Sequence, residues 1–564
     1  MSVDDGHGSA ADGSDADAGA DSDPDVDAVV VGAGFAGLYA LHRLRELGLS
    51  VRAYEKADGV GGTWYWNRYP GARCDSESHI YCYSFSEDLL EEWEWTERYP
   101  EGPEILEYLR FAADRLDLRR DIAFETAVTA AGYDEDAGTW TVETDDGDGV
   151  ETRFFVSAVG CLSEPFKPDF DGLETFDGEW YHTARWPHDG VDLDGKRVGV
   201  VGTGSTGIQF ISAAAPRAGH LTVFQRTPNY AVPARNRPLA DDEYAEIRDN
   251  YDDIWERARD SRLGMPFEPD ENSARTLSEA EIREILEERW QQGGFRFLHA
   301  FEPGHVLSSA ETNSLVSAFV REKIRERVDD PETAEKLVPT DHPYGAKRPP
   351  MDYDDYYGTY NRDDVSLVDV DADPITEVTP DGVRTTADHH ELDVLVFATG
   401  FDAITGALLA MDIRGRDGLT LADKWADGPV TYLGLGVHGF PNLLTVTGPQ
   451  SPSVLTNMPM AIEQHVEWIA DCIAHLDREG YDRIEPTAES ERQWVSQTNL
   501  LADNMLFSEA DSWYRGENVP GKPAVFTPFP GGLDMYRDIC ERVAADGYDG
   551  FELRRAAQEA AVER

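Results

Sequence analysis

Basic residues are scarce in this sequence of 564 residues, and lysine most of all. There are 50 Lys and Arg against 109 Asp and Glu, a formal net charge of −59, and only eight of the 50 are lysine. A surface of this charge repels nucleic acid and anionic lipid at long range, so we expect neither as a partner. Because the acidic residues are spread along the whole chain, we predict a halophilic surface whose self-repulsion is screened by concentrated salt. The alternative is an acidic face that serves a cationic partner.

Long apolar runs and closely paired cysteines are also missing. No stretch of 18 apolar residues occurs, so we expect no membrane span. Residues 1–25 have almost no apolar side chains and no signal-peptide pattern, which predicts a disordered acidic tail. The cysteines are five, an odd number, and widely spaced. This predicts reduced thiols in a cytoplasmic protein and no zinc or other metal site: Cys74, Cys82, Cys161, Cys472 and Cys540.

A glycine-rich loop follows the first apolar segment. Residues 26–31 run into Gly32-x-Gly34-x-x-Gly37, then an amphipathic helical pattern and a second strand that ends at Glu55. Glycine permits the tight turn and lets the backbone approach a pyrophosphate, while the helix N-terminus supplies amide donors. Glu55 follows Gly32 by 23 residues, where an acid accepts a ribose hydroxyl. Together these features predict an FAD site.

A second copy of this motif occurs near residue 200. Gly202-x-Gly204-x-x-Gly207 again lies between an apolar strand and a helical pattern. We include Ser205 and Gln209, at the start of that helix, among the cofactor-binding residues. The repeat predicts a second dinucleotide site in the same chain.

The residues after the second strand distinguish the two copies. The first copy has Glu55 at this position, whereas the second has Arg226 and Thr227. A carboxylate there would repel a 2′-phosphate, while a guanidinium and a hydroxyl would bind it. We therefore predict NADPH at the second site, and not a second NAD-type site.

Two dinucleotide sites leave a choice of electron acceptor, a disulfide or oxygen. Disulfide reductases of this architecture carry cysteines at C-x-x-C or C-x-x-x-x-C spacing beside the flavin. Cys74 and Cys82 are the nearest pair here, and seven residues separate them. The spacing disfavours a disulfide reductase.

The segment FDGEWYHTARWP, residues 176–187, lies between the two glycine loops. Its Phe176, Gly178, His182 and Trp186 resemble the fingerprint F-x-G-x-x-x-H-x-x-x-W-[P/D] of the Baeyer–Villiger monooxygenases. Flavin monooxygenases that oxidise nitrogen and sulfur have a similar motif ending in Phe or Tyr, so the tryptophan favours the ketone-oxidising family. We expect the histidine to tie the interdomain linker to the NADPH domain and not to perform chemistry.

The resemblance extends over nearly everything after the tail. Five segments are similar to family segments in the same order: a flavin-contacting segment (61–86), the active-site arginine segment (344–369), a flavin-domain strand and its turn (395–408), the substrate-pocket loop (448–459) and a loop that closes on NADPH (512–522). In the first of these, Thr63, Trp64 and Asp75 match cofactor-contacting positions.

The resemblance also implies roles for single residues. Arg348 matches the family's catalytic arginine, which faces the flavin and stabilises negative charge, and Asp75 matches the carboxylate that pairs with it. Lys347 matches a residue that reaches the 2′-phosphate of NADPH, and Trp513 one that contacts the nucleotide when its loop closes. Four residues match the substrate pocket: Ser453, Val454, Leu455 and Met458.

The implied reaction is the NADPH- and O₂-dependent oxidation of a ketone to an ester or lactone through a C4a-peroxyflavin. The expected partners are a small ketone and O₂, and the expected protein is a monomer or weak homo-oligomer. Two alternatives remain open. One is a flavin monooxygenase that oxidises sulfur or nitrogen, and the other is a non-catalytic NADPH-binding regulator.

The expected fold class is α/β, with two Rossmann-type dinucleotide-binding domains. We predict an FAD-binding domain from 26–155 and 391–564, and an NADPH-binding domain from 160–230 and 340–390. Charged helical patterns between the halves of the second domain predict a helical insertion at 235–338.

Overall fold

The structure of the protein is a computed structural model that describes residues 24–267, 273–302 and 304–555. The tail expected at 1–25 lies outside the described residues, apart from its last two. The strands are β1 (Val26–Val31), β2 (Val51–Tyr54), β3 (Ile122–Ala123), β4 (Val128–Asp134), β5 (Thr139–Thr144), β6 (Gly149–Ser157), β7 (Glu179–His182), β8 (Arg197–Val201), β9 (His220–Gln225), β10 (Val232–Pro233), β11 (Met351–Asp352), β12 (Val365–Asp369), β13 (Ile375–Thr379), β14 (Gly382–Thr385), β15 (His389–Glu391), β16 (Val394–Phe397), β17 (Asp412–Arg414), β18 (Leu443–Thr445), β19 (Arg483–Pro486) and β20 (Phe551–Arg554).

Helices connect and cover these strands. They are α1 (Phe35–Glu46), α2 (Thr63–Trp66), α3 (Glu87–Glu92), α4 (Gly102–Arg115), α5 (Ser205–Ala214), α6 (Asp241–Asp249), α7 (Tyr251–Arg259), α8 (Glu279–Gln292), α9 (His305–Ser308), α10 (Ala310–Arg327), α11 (Pro331–Leu337), α12 (Tyr356–Thr359), α13 (Gly406–Leu409), α14 (Leu421–Lys424), α15 (Met458–Glu479), α16 (Ala488–Asp503) and α17 (Leu533–Ala545). In the described ranges, none of them has both the length and the apolar composition that crossing a bilayer requires.

The first glycine loop belongs to an eight-stranded sheet. Its strand order is β17-β4-β5-β6-β1-β2-β3, and β18 pairs with β6. β1 lies between two parallel partners, β2 and β6, which explains its nearly continuous apolar sequence, since both of its faces are covered. α1, which follows the loop, packs against the long helix α15.

The second glycine loop belongs to a separate five-stranded sheet. All its pairings are parallel, in the order β12-β9-β8-β16-β7. The two sheets, each with its own strand–loop–helix unit, confirm the α/β class with two dinucleotide-binding domains.

One expected boundary between the domains is wrong. The sequence predicts that the strand within 395–408 belongs to the FAD-binding domain, but β16 pairs with β8 and β7 in the five-stranded sheet. All four β16 side chains are buried, and a short apolar strand of this kind fits the centre of either sheet. Its partners, which the sequence does not reveal, decide where it lies. The chain returns to the eight-stranded sheet only with β17.

The helices between 241 and 337 divide between the two domains. Tyr251, Ile254 and Trp255 of α7 belong to the hydrophobic core that contains α1 and α15. Leu286 of α8 and Val316 of α10 belong to the core beneath the five-stranded sheet. The segment therefore joins both cores, and its two halves can hold the domains together.

Candidate active site

A cavity of about 1080 Å³ lies between the two sheets. Both glycine loops line it, together with the segment around Asp75, the Lys347–Arg348 pair and part of the 512–522 loop. The carboxyl ends of parallel strands meet here, which is where α/β sheets bind ligands.

The first loop presents bare backbone to the cavity at Gly32 and Gly34. Gly32 has φ +106°, and a Cβ there would lie 2.6 Å from the carbonyl oxygen of Ala158. A Cβ on Gly37 would lie 1.8 Å from the carbonyl oxygen of Gly32, so the helix could not pack this closely with any other residue. A Cβ on Gly34 would lie 3.3 Å from the Cα of Gly62, so a larger residue at this position would narrow the cradle between the two glycines. This geometry fits a pyrophosphate on the helix N-terminus.

Glu55 lies at the end of β2 and lines the cavity. Its Oε2 accepts the N–H of Ala33 at 2.8 Å and its Oε1 accepts the N–H of Ala57 at 2.9 Å. Burial raises the pKa of Glu55, although these two amides oppose the shift. Each carboxylate oxygen can accept a second hydrogen bond, so the residue can hold ribose hydroxyls as expected for FAD.

Thr63 and Trp64 also line the cavity, at the start of the short helix α2. Gly61 and Gly62 precede them with φ of +134° and +51°, which turns the chain beneath the first loop. The indole N–H of Trp64 donates to the hydroxyl of Tyr81 at 3.3 Å. The structure thus brings both predicted residues to the flavin end of the cavity.

The second loop repeats the geometry of the first. A Cβ on Gly202 would lie 2.5 Å from the carbonyl oxygen of Ala398, and one on Gly207 would lie 2.1 Å from the carbonyl oxygen of Gly202. A Cβ on Gly204 would meet nothing within 4 Å, because this residue faces the open cavity. Ser205, the first residue of α5, lines the cavity beside it.

Gln209 lines the cavity too, but its amide is engaged elsewhere. Its Oε1 accepts the hydroxyl of Tyr69 at 2.7 Å, and its Nε2 donates to the carbonyl oxygen of Arg73 at 3.0 Å. These bonds join α5 to residues 61–99, the flavin-side segment. The side chain therefore connects the two domains, and its contact with a nucleotide stays a prediction.

Arg226, Thr227 and Lys347 converge at the end of the cavity near the second loop. Burial lowers the pKa of Lys347, and Arg226 lowers it further, while Asp341 opposes the shift. Within the described residues, neither cation forms an ion pair with a carboxylate. Two neighbouring cations that form no direct ion pair in the described ranges are suited to bind an anion such as a 2′-phosphate.

Arg348 adjoins Lys347 in the chain but contacts the flavin-side segment. Its Nε donates to Oδ2 of Asp75 at 2.7 Å, and its Nη2 lies 2.7 Å from the same oxygen. Its Nη1 donates to the carbonyl oxygen of Val454 at 2.7 Å. Asp75 and Val454 thus engage three of the five N–H donors, and two remain for Tyr514 and for a ligand in the cavity.

The charge on this guanidinium is secure. Burial lowers the pKa of Arg348, but Asp75 and Tyr514 overcome that effect and raise it above its ordinary value. The Arg348 side chain is 22% exposed. A permanent cation with one free donor therefore faces the cavity.

Phe295 completes the surroundings of this cation and was missed by the sequence reasoning. The guanidinium carbon of Arg348 lies 4.9 Å from the centre of the Phe295 ring, a cation–π contact. Phe295 comes from the 235–338 segment, in which nothing but helical spacing was recognised. Its one local signal is the preceding Gly293-Gly294 pair, with φ of +72° and +65°.

Trp513 lines the cavity on the loop at 512–522. Two bonds hold this loop against the turn after β16: Nδ2 of Asn518 donates to the carbonyl oxygen of Phe401 at 2.8 Å, and Nζ of Lys522 donates to that of Ala403 at 2.8 Å. Lys522 also pairs with Asp402. The loop is thus closed over the cavity in this structure.

The predicted pocket residues separate into two groups. Val454 and Met458 line the cavity, whereas Ser453 and Leu455 do not. Ser453 is buried, with φ +40°, and its Oγ accepts the N–H of Val454 at 2.5 Å. Leu455 packs in an apolar cluster with Cys161 and Phe507. Of the four predicted residues, Val454 and Met458 are therefore the two that a ligand in the cavity could contact.

The fingerprint residues lie in and around β7, the edge strand of the five-stranded sheet, and do not line the cavity. Burial lowers the pKa of His182 to about 4. Its Nδ1 accepts the N–H of Ala184 at 3.1 Å, so its Nε2 carries the proton that faces the carbonyl oxygen of Phe166 at 3.2 Å. A neutral histidine in these bonds positions the linker, and the geometry supports the role expected for it.

The other fingerprint residues are in packing roles. Trp186 packs on Phe210 of α5 with ring centres 5.5 Å apart. A Cβ on Gly178 would lie 2.5 Å from the carbonyl oxygen of Asp393 and 2.6 Å from the Phe176 ring, so no larger residue fits. β7 pairs with β16 immediately after this glycine.

All five cysteines are buried with free thiols. Across the described ranges, no group of three or more His, Cys, Asp or Glu side chains is arranged to hold a metal ion. The cavity therefore draws its charge from arginine, lysine and carboxylates.

The fold and the cavity define a flavoprotein with two dinucleotide-binding domains. The Flavin-binding monooxygenase-like family model matches residues 26–235. A Baeyer-Villiger monooxygenase of Pseudooceanicola batsensis is 46% identical over 94% of this chain and 97% of that protein. An acetone monooxygenase (methyl acetate-forming) of Gordonia sp. is 47% identical over 93% and 99%, and a phenazine N-monooxygenase of Lysobacter antibioticus is 46% identical over 93% and 97%.

Solved structures agree with these relatives. An oxidized steroid monooxygenase bound to NADP has 53% identity and a TM-score of 0.90, covering 94% of this chain and 99% of that one. A complex of OTEMO with FAD and NADP has 42% identity and a TM-score of 0.91, covering 94% and 100%. This chain belongs to the Baeyer–Villiger monooxygenases of the flavin-binding monooxygenase-like family.

Proposed function

We propose that this protein is an FAD-containing, NADPH-dependent monooxygenase that oxidises ketones to esters or lactones with O₂. The observation that carries this function is the Arg348–Asp75 pair, which presents a permanent cation to a cavity that both glycine loops share. Developing negative charge on oxygen is stabilised by oriented donors of this kind.

The residues present fit both cofactors. The cradle at Gly34 and the carboxylate of Glu55 suit the pyrophosphate and ribose of FAD, and the cations Arg226 and Lys347 suit the 2′-phosphate of NADPH. When bound, FAD would supply the redox chemistry, namely hydride acceptance from NADPH and activation of O₂.

The chain's own residues supply positive charge to the site, fix its orientation and exclude water. Arg348 holds negative charge near the substrate carbonyl, and Asp75 fixes the plane of its guanidinium. The loop at 512–522, closed onto Phe401 and Ala403, excludes water from the nucleotide end. Val454 and Met458 form an apolar boundary for the ketone.

Heteroatom oxidation is the second candidate function. The observation that favours it is the Lysobacter relative named for N-oxidation, which is 46% identical. Its likeness to this chain is as great as that of the relative named Baeyer-Villiger monooxygenase, so overall identity does not separate the two activities. Trp186 at the end of the fingerprint favours ketone oxidation over heteroatom oxidation.

One assay decides between them. Purified holoenzyme in concentrated salt is given NADPH, O₂ and a panel of aryl, linear and cyclic ketones, with a sulfide and an aromatic amine in parallel. Esters or lactones in amounts that match the NADPH consumed support the proposal. Sulfoxide or N-oxide without any ester would transfer the assignment to the second function, and a protein that retains no flavin would favour the non-catalytic regulator.

The charge of the protein also bears on its salt requirement, its location and its oligomeric state. A net charge of −59 supports a halophilic protein in the cytoplasm, with its thiols reduced. The same charge disfavours self-association at low salt and supports a monomer or weak homo-oligomer. Sedimentation at low and high salt tests this state.

A further inference from the structure

A buried cluster of charges lies next to the Arg348–Asp75 pair. Glu77, two residues after Asp75, is 5% exposed. Its Oε1 accepts Nε and Nη2 of Arg98 at 3.2 and 2.9 Å, and it also pairs with Arg296, whose Nη2 lies 3.4 Å from Oε2. Burial by itself raises the pKa of Glu77, but Arg296, His79 and Arg98 together lower it to about 2. The carboxylate is therefore ionised at any working pH.

Arg296 connects this cluster to the catalytic cation. It lies in the short turn Gly294–His299, directly after Phe295, whose ring faces the guanidinium of Arg348. A Cβ on Gly294 would lie 2.0 Å from the hydroxyl of Tyr99, so the turn is seated tightly against the flavin-side segment. The Glu77–Arg296 ion pair joins this segment to the turn.

Besides Tyr514, Arg348 has three supports from three parts of the chain. Asp75 holds one edge of the guanidinium, the carbonyl of Val454 holds another, and the Phe295 ring lies against its face. The first two supports are hydrogen bonds with fixed directions. The third depends on where the turn is held, because a cation–π contact weakens as the ring moves away.

We infer that Glu77 is a positioning residue for the oxidation step: through Arg296 it holds Phe295 against Arg348 and so fixes the plane of the catalytic guanidinium. This inference rests on the proposed function of Arg348. Glu77 does not line the cavity and touches no reacting atom. Its effect on the reaction is therefore confined to the step that needs an oriented Arg348.

The test compares Glu77→Gln with wild-type holoenzyme in concentrated salt. Glutamine keeps the shape but leaves Arg98 and Arg296 without a carboxylate, so we expect Arg296 to turn toward solvent and Phe295 to move. Oxygenated product formed per NADPH oxidised should fall about tenfold, with hydrogen peroxide making up the difference. The rate at which NADPH reduces the flavin without oxygen should stay within about twofold of wild type, because the second loop is untouched.

The matched control is Glu322→Gln. Glu322 accepts both Nη atoms of Arg283, at 2.8 and 2.7 Å, so the control also breaks a carboxylate–arginine pair of the helical segment, but one that within the described residues has no hydrogen bond or ion pair with Arg296. It should leave product per NADPH unchanged. A general loss of stability would lower the melting temperature of the Glu77 variant without altering product per NADPH in the flavin-loaded fraction, and that result would overturn the inference.

A second variant covers the case in which Glu77→Gln does not fold. Arg296→Lys keeps the charge beside Glu77 but loses the planar fork, and we expect the same shift from product to peroxide to a smaller extent. Combining either change with Phe295→Leu should add little, since all act through one contact. Fully additive losses would contradict the inference. The function itself is judged separately, by whether wild type forms ester at all.

Discussion

Replacing Arg348 by alanine removes the cation from the cavity while leaving both glycine loops intact. NADPH should still reduce the flavin, because hydride transfer needs the nucleotide and the isoalloxazine in contact and not a guanidinium. Ester formation should be lost, because negative charge on oxygen near the substrate carbonyl no longer meets an oriented donor. The variant should therefore retain flavin reduction by NADPH and lose oxidation of the ketone.

The structure sets the size of the loss. Two of the five N–H donors of Arg348 remain after Asp75 and Val454 are satisfied. Loss of one oriented donor at a developing oxyanion costs about 2.7–4 kcal/mol, or about 10²–10³ in rate. The unpaired carboxylate of Asp75, left facing the same space, adds repulsion, so the alanine variant should lie at the upper end of that range or beyond.

The assay follows flavin absorbance during anaerobic mixing with NADPH, then product and peroxide after oxygen is admitted. Arg348→Lys is the informative companion, since it keeps a positive charge but cannot reach Asp75 and the Val454 carbonyl with one planar fork. Ester formation by the alanine variant within about tenfold of wild type would refute the role given to this residue.

Three further predictions concern the rest of the chain. Arg226→Ala should raise the KM for NADPH about tenfold and leave that for NADH nearly unchanged, because only NADPH carries the 2′-phosphate; equal effects on both would contradict the phosphate site. Burial raises the pKa of Glu463 to about 7 from an ordinary value of 4.5. As the pH rises, the carboxyl group therefore loses its proton at a lower pH in the unfolded chain than in the folded one. The free energy of unfolding consequently falls as the pH rises from 4.5 to about 7. Glu463→Gln should remove this loss and stabilise the fold by about 3 kcal/mol more at pH 8 than at pH 4 in denaturant titrations, and a gain independent of pH would count against it. Because 109 acidic residues face 50 basic ones, the melting temperature should fall when concentrated salt is diluted away; an unchanged value would argue against a halophilic surface.

The glycine loops were predictable because their chemistry is local. Gly32 and Gly202 need positive φ, and Gly37 and Gly207 need the absence of a Cβ, so two positions within each short motif carry a requirement that the spacing of the glycines reveals. The difference between Glu55 and Arg226 is equally local. At each loop, the charge of one side chain at the end of a strand predicts which dinucleotide binds.

The strand at 394–397 shows where such reasoning fails. Its four buried residues carry no mark of which sheet they join, and the resemblance to the family suggested the wrong one. Phe295 shows the same limit at the site. Nothing near it in the sequence points to Arg348, which lies 53 residues away and is adjacent only after the helical segment packs.

The sequence by itself determined the two nucleotide loops, the charge of their ribose-binding residues and the family to which the linker motif belongs, because each depends on residues a few positions apart. Only the tertiary structure decided how Arg348 is supported, which of the pocket residues line the cavity, and which sheet receives β16. Those outcomes depend on contacts between segments hundreds of residues apart, and such contacts are set by the packing of whole domains.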